Sequence, residues 1–365
     1  MSAADPIELR ARGRKVTGWT ALSLSSSLEE AASTLSASVS GYYAATGDDQ
    51  LACGDLARVY VGDDLAWTGY VEAPEDAIDG ESEATTVTGR SKTCDAVDCA
   101  AAAGSWTGLT LAALFARLIG DHDLELLDEA GVGGTVIPRH RTEPGETIHD
   151  ALDRLSREVG YLVTDDGRGR VVLTRAGAGG RAATSIVQGA GVLSSQGGWD
   201  VSQRFSHYEV AGQVVEDTDV DVHAFGLAED PGVGRTRRMV IVPERGMNKA
   251  QARRRAQWEA VTRAGRSFVA TYQLRGWRHG VDTGALWRPN QIVSVVDGRR
   301  GLFGVDLLVT AVTLTLDEGG RRAAVTVQPA AGFELYTTGL AAGVGVGRWF
   351  TTEAARALGA QAAGR

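Results

Sequence analysis

The chain is poor in the residues that most soluble catalytic chemistry depends on. Three cysteines in 365 residues, Cys53, Cys94 and Cys99, make an odd set with no CxxC spacing. That pattern speaks against a disulfide framework or a zinc site and suits free thiols in a reducing compartment. The six histidines, His122, His140, His149, His207, His223 and His279, are scattered singly. No HExxH, GxSxG or Walker phosphate loop occurs; the Gly-rich stretch 131–134 lacks a following Lys-Ser/Thr pair and reads as a turn. No apolar run approaches the roughly 18 residues of a membrane helix, and the polar residues 1–14 show no secretory signal. The expectation is a chain with no catalytic residue, no cofactor and no metal.

Carboxylate pairs are abundant: Asp48/Asp49, Asp63/Asp64, Asp121/Asp123, Asp165/Asp166 and Asp217/Asp219/Asp221. A glycosidase needs two carboxylates about 5–10 Å apart in a cleft, one with a raised pKa. Most of these pairs fall in predicted turns, where Asp suits the backbone. The spacing of Asp217 to Asp221 resembles a calcium loop but lacks its sixth-position Gly and twelfth-position Glu. Net charge is −9, yet residues 231–310 hold 15 Lys/Arg against 5 Asp/Glu, leaving 22 against 41 elsewhere. So uneven a distribution points to a docking surface for an acidic partner or another part of one assembly. The acidic bulk and unsuitable aromatic spacing argue against stable nucleic-acid binding.

What the chain does contain is mostly β pattern. Its length allows two to four domains, and 47 Gly point to many turns. Leu22, Leu24, Leu35, Ala37 and Val39 alternate with Ser, the period-two sign of a strand with one wet face. A unit covering residues 54–61, 67–73 and 84–88, with turns at 62–64 and 79–80, returns at 289–296, 305–316 and 323–327 with turns at similar places. Between the copies, Leu111, Leu114, Phe115 and Leu118 sit at helical spacing. Ile148, Ala151, Leu152, Leu155 and Val159 form a second stripe ended by Gly160. A third helix, capped by Asn248, carries the candidate contact residues Lys249, Arg253, Arg254, Arg255, Arg263 and Arg266.

The expected fold is mainly β with α+β modules. Two related antiparallel β-barrels are expected, one interrupted by an inserted α/β module, with a separate small α/β module between them. The divisions are 1–90 (first barrel), 91–180 (small α/β module), 181–222 with 287–332 (second barrel), and 223–286 (basic insert). Residues 333–365 make an Ala/Gly-rich tail with a possible short helix at 352–358. Residues 206–212 are matched to 33–39 of the first copy.

An ordered set of segments resembles the baseplate hub proteins of Mu-like contractile-tailed phages. It comprises Val16-Thr17-Gly18-Trp19-Thr20 with Ser27-Leu28-Glu29, then Gly69-Tyr70-Val71, then Thr88-Gly89-Arg90-Ser91-Lys92-Thr93 before Asp95-Ala96-Val97-Asp98-Cys99. Pro144-Gly145-Glu146-Thr147 and Leu162-Val163-Thr164-Asp165-Asp166-Gly167 complete it. The resemblance implies tail-tube-like barrels and a homotrimer with pseudo-six-fold symmetry. Such a ring adapts a hexameric tail tube to a trimeric central spike, with a channel for DNA. It implies the tube and spike proteins as partners, with tape measure and baseplate wedge proteins also in reach, and a virion location after assembly in the host cytoplasm. A tail-associated peptidoglycan hydrolase and a component of a related contractile injection system are the competing expectations.

Overall fold

The computed structural model describes residues 5–16, 19–40, 51–78, 83–212, 224–243, 247–280 and 283–336. The tail helix at 352–358, His223, Asp48/Asp49, Asp217/Asp219/Asp221 and the turn at 79–80 lie outside the described residues.

The first half is a run of strands: β1 (Ile7–Ala11), β2 (Arg14–Val16), β3 (Trp19–Ser27), β4 (Thr34–Ser40), β5 (Leu56–Val61), β6 (Asp64–Ile78) and β7 (Glu83–Ser91). A small module follows, with α1 (Cys94–Asp98), β8 (Ser105–Thr110), α2 (Leu111–Leu118), β9 (Glu125–Asp128), β10 (Val136–Arg141), α3 (Ile148–Val159), β11 (Leu162–Asp165) and β12 (Arg170–Thr174). The second half begins with β13 (Ile186–Val187), β14 (Val192–Trp199), β15 (His207–Gly212), β16 (Ala224–Glu229), β17 (Arg238–Ile241) and α4 (Lys249–Arg266). It ends with β18 (Phe268–Arg275), β19 (Arg278–Gly280), β20 (Thr283–Leu286), β21 (Ile292–Asp297), β22 (Leu302–Asp317) and β23 (Gly320–Gln328), then a 3₁₀ turn at Ala330–Phe333.

Both halves enter one 13-stranded sheet, in which the order β14-β18-β23-β22-β3-β4-β7-β6-β5-β1-β2 is hydrogen-bonded and β21, carrying β13, joins β22. Among the described residues this path stays open at β14 and at β2. The two expected barrels are therefore not separate bodies. β3 of the first half pairs antiparallel with β22 of the second, Leu22 opposite Leu316 through Ser27 opposite Ala311. One core runs across that seam, with Leu22, Leu24, Leu35 and Val87 from one side and Tyr272, Val312, Leu314 and Val325 from the other.

The duplication is visible in the pairing itself. β5-β6-β7-β4-β3 and β21-β22-β23-β18-β14 have the same order. Their irregularities coincide. Register slips between Val59/Tyr60 and Val295/Val296, between Val71/Ala73 and Val309/Ala311, and between Trp19/Ala21 and Val192/Ser194. A β-bulge inserts one residue, bends its strand and fixes register. Three bulges in matching places are far more specific than similar strand lengths.

This matching corrects the strand assignments. The partner of β4 in the second copy is β18, which pairs with β23 as β4 pairs with β7. Residues 206–212 do not hold that place: β15 pairs with β16 and β17 in a separate three-stranded sheet. Both stretches alternate apolar and polar, and single-strand patterning carries no information about which neighbour is chosen. In the first copy β3 and β4 are joined by residues 28–33, whereas in the second β14 and β18 are joined by residues 200–267. The insert thus occupies one particular turn of the repeat.

The small module has its own core of Leu111, Leu114, Phe115, Leu118, Ile148, Leu152, Leu155 and Tyr161. α3 begins at Thr147 with a reciprocal cap to Asp150 and stops at Gly160, whose φ of 81° is left-handed.

Candidate interface surfaces

The insert is a helix laid on a sheet. Ala252, Ala256 and Ala260 recur on one face of α4 and pack on Tyr208 and Val210 of β15. Small side chains allow close approach. At Gly226 of β16 an added Cβ would lie 2.1 Å from the backbone carbon of Ala252. Another side of α4 receives the segment after the 3₁₀ turn: Trp258 Nε1 donates to Glu334 O (2.7 Å) and Tyr336 Oη donates to Gln251 O (3.2 Å).

These contacts divide the six basic candidates into two sets. Arg255 and Arg263 converge on buried Glu259, at 2.6 and 3.0 Å. Arg255 also stacks over Trp258 and Tyr336, and Arg263 reaches Gln203 O. Arg266 Nε donates to Gly332 O at 2.9 Å. Those three hold the insert together. Lys249, Arg253 and Arg254 are exposed, and among the described residues they form a cationic patch without an ion-pair partner on the first turns of α4.

Sequence reading missed a second surface. The sheet face turned away from α4 exposes Phe225, Leu227, Val240 and Val242 at 44, 60, 59 and 77%. The run Met239-Val240-Ile241-Val242, apolar on both faces of one strand, was the available signal. A strand with one wet face should alternate.

A third surface covers the seam. Opposite the core, the strands present half-exposed Ser23, Ser25, Ser36, Ser38, Thr86, Thr88, Thr271, Thr313 and Thr326. Hydroxyls meet across strands in the pairs Ser25–Thr313 (3.2 Å), Ser38–Thr86 (3.0 Å) and Thr271–Thr326 (2.9 Å). The alternating Ser read in the first half extends into the second as a hydroxyl-rich face, with Glu75, Arg90, Arg275 and Arg322 toward its margins.

The carboxylate pairs do structural work. Asp165, nearly fully buried, accepts from Ser33 N (3.1 Å), Ser33 Oγ (2.8 Å) and Thr93 Oγ1 (3.4 Å), tying the small module to the first half. Burial raises its pKa against the lowering effect of Ser91 and Ser33. Its neighbour Asp166 accepts from the backbone N–H groups of Arg168 and Arg170 in the hairpin turn. Asp64 and Asp5 flank Arg278, at 2.6 and 2.7 Å, latching the halves together. A cavity of about 290 Å³ lies where the three parts meet, lined by Trp67, Glu129, Asp165, Trp287, Asn290 and Gln291. His140 and His279 are buried with lowered pKa values, chiefly from desolvation. His149 lies on α3 and is not buried, and Lys92 pairs with Asp123 at 2.5 Å.

A duplicated strand unit with a hydroxyl face, an apolar insert face and a cationic helix end, and with Asp64, Asp165 and Asp166 tied into the scaffold, has the build of a structural assembly protein. Comparison with known proteins gives the family. Residues 6–91 match the N-terminal domain of Mu phage baseplate assembly protein GpP-like proteins, 93–175 the second domain of baseplate hub protein gp44-like proteins, and 248–336 the fourth domain of GpP. The baseplate hub protein gp44 of Escherichia phage Mu is 31% identical over 352 residues, covering 90% of this chain and 89% of that protein. The 43 kDa tail protein of prophage MuSo2 from Shewanella oneidensis superposes with a TM-score of 0.79 at 28% identity, covering 91% of this chain and all of that one. A tail protein from Neisseria meningitidis MC58 shares the fold at TM-score 0.73 and 18% identity, over 91% of this chain and 99% of its own. The chain belongs to the baseplate hub family of Mu-like phages. It is a structural protein of the virion tail baseplate and not an enzyme, which removes the hydrolase expectation.

Proposed function

We propose that three copies of this chain form a ring with pseudo-six-fold symmetry that joins the hexameric tail tube to the trimeric central spike. The observation that carries this reading is the bulge-matched duplication. Two equivalent five-strand units per chain let three chains offer six similar positions to one partner. The insert interrupts only the second copy, so the same ring offers three distinct positions to another. In this reading each copy is a tail-tube-like barrel completed within the assembly, and the hydroxyl-rich face lines the channel. Uncharged hydroxyls there would not trap the phosphate backbone of passing DNA, because retention of nucleic acid depends largely on cationic contacts. The cationic patch of Lys249, Arg253 and Arg254 then faces outward, toward neighbouring subunits or baseplate proteins. The mass of the purified protein in solution tests the reading. Three times the 38.4 kDa chain mass is expected, and a single copy or six copies would overturn it. A related contractile injection system would use the same ring, and the particle from which the protein is isolated separates the two settings.

A further inference from the structure

Edges are where a sheet can continue, because their backbone N–H and C=O groups lack strand partners. The repeat makes two edges of the large sheet comparable to places that are already filled. β3 is flanked by β4 and β22, while its equivalent β14 has β18 alone among the described residues. The outer half of β22, residues 311–316, is flanked by β23 and β3. Its equivalent, residues 73–78 of β6, has β7 alone among the described residues, since β5 pairs only as far as Tyr70. Besides the short β2 and β13 edges, two edges are thus left open among the described residues, and both are counterparts of the strands that form the internal seam.

We propose that the internal seam recurs between chains, β14 of one copy pairing antiparallel with β6 of a second copy. The proposal rests on the ring reading above and adds the strands and the register. The bulges fix the equivalences: Val71 and Ala73 correspond to Val309 and Ala311, and Gly197, opposite Ala270, corresponds to Leu24, opposite Leu35. Ser25 opposite Thr313 within the chain therefore becomes Gly198 opposite Glu75 between chains. Leu24 opposite Leu314 becomes Gly197 opposite Asp76. One side chain now reaches the β14 edge: Arg300 contacts Ser195 Oγ at 3.0 Å and the Gly197 carbonyl at 3.4 Å, and the strand pairing replaces the longer contact. Such a contact uses different surfaces on its two sides, so it is heterologous and closes into a ring when the rotation permits.

Cysteine pairs read the register directly. Inside the chain the side-chain oxygens of Ser25 and Thr313 are 3.2 Å apart, close enough for a disulfide if both become Cys, and that double variant serves as the internal standard. The test pair is Glu75→Cys with Gly198→Cys, in a chain whose exposed Cys53 is replaced by Ser. Gly198 accepts a Cβ, since no atom lies within 4 Å of one built there. Mild oxidation followed by a non-reducing gel should give linked dimers and trimers. The displaced pair, Glu75→Cys with Ser194→Cys, should give none. A protein that is trimeric by mass but links no better at the matched pair than at the displaced one overturns the seam and leaves the ring standing. A protein that stays monomeric at every concentration and does not link overturns both.

Discussion

Single residues hold the parts in register, and the most committed is Arg204. It is fully buried and makes two hydrogen bonds to Asp230, at 2.8 and 2.9 Å, at the base of the insert. Removing one member of a buried ion pair leaves the other charged and unsolvated, which typically costs about 3–5 kcal/mol. Arg204→Ala should therefore lower the denaturant midpoint strongly, as measured by urea unfolding. Asp165 makes a different prediction. Its pKa is raised in the fold by burial, so its protonated form favours the folded state. That stability is complete below the unfolded carboxylate value near 4 and is lost as pH rises through the folded value. Asp165→Asn should flatten the fall in stability above pH 4, read from denaturant midpoints across a pH series. An unchanged slope would contradict the assignment. Neither residue stood out in the sequence. Arg204 was one Arg among many, and Asp165 looked like half of a turn pair, because their partners are distant in sequence: Asp230 is 26 residues from Arg204, and Ser33 is 132 from Asp165.

Elements were legible where local chemistry decided them. α2, α3 and α4 lie where apolar spacing put them, and Asn248 caps α4 as expected, while Thr110 and Thr147 cap the other two without having been read as caps. Strand neighbours were not legible, because pairing is chosen by the rest of the sheet; hence the displaced assignment of residues 206–212. The helix-on-sheet contact of the insert has its own test. Gly226→Ala would force a methyl to 2.1 Å from the α4 backbone, and overpacking of this kind costs about 1–3 kcal/mol. Hydrogen exchange should show faster exchange in α4 and β16 while the large sheet stays protected. The basic candidates separate in the same way. Glu259→Ala releases Arg255 and Arg263 and should destabilise the insert. Reversing Lys249, Arg253 and Arg254 to Glu should change stability by less than about 0.5 kcal/mol, as surface substitutions usually do. The reversal should weaken attachment to the isolated baseplate, scored by co-sedimentation, and undiminished attachment would remove these residues from the interface.

At the scale of the whole molecule, the repeated strand pattern in the sequence was a faint trace of something the pairing states clearly. Six strand irregularities fall into three equivalent pairs, and one turn of the second copy carries the insert. The sequence could show that β units recur and that a basic stretch lies near the second. It could not show that both copies share one sheet, because the β3–β22 seam joins residues almost 300 positions apart. That seam makes each chain a segment of two unequal units, as the proposed ring requires. Averaged electron-microscope images of the purified protein, viewed along the axis, test this most directly. The account predicts a ring with a central hole, three-fold symmetry and six similar lobes, three of them carrying an extra mass for the insert. A ring of six chains, or isolated two-lobed particles at every concentration, would contradict it.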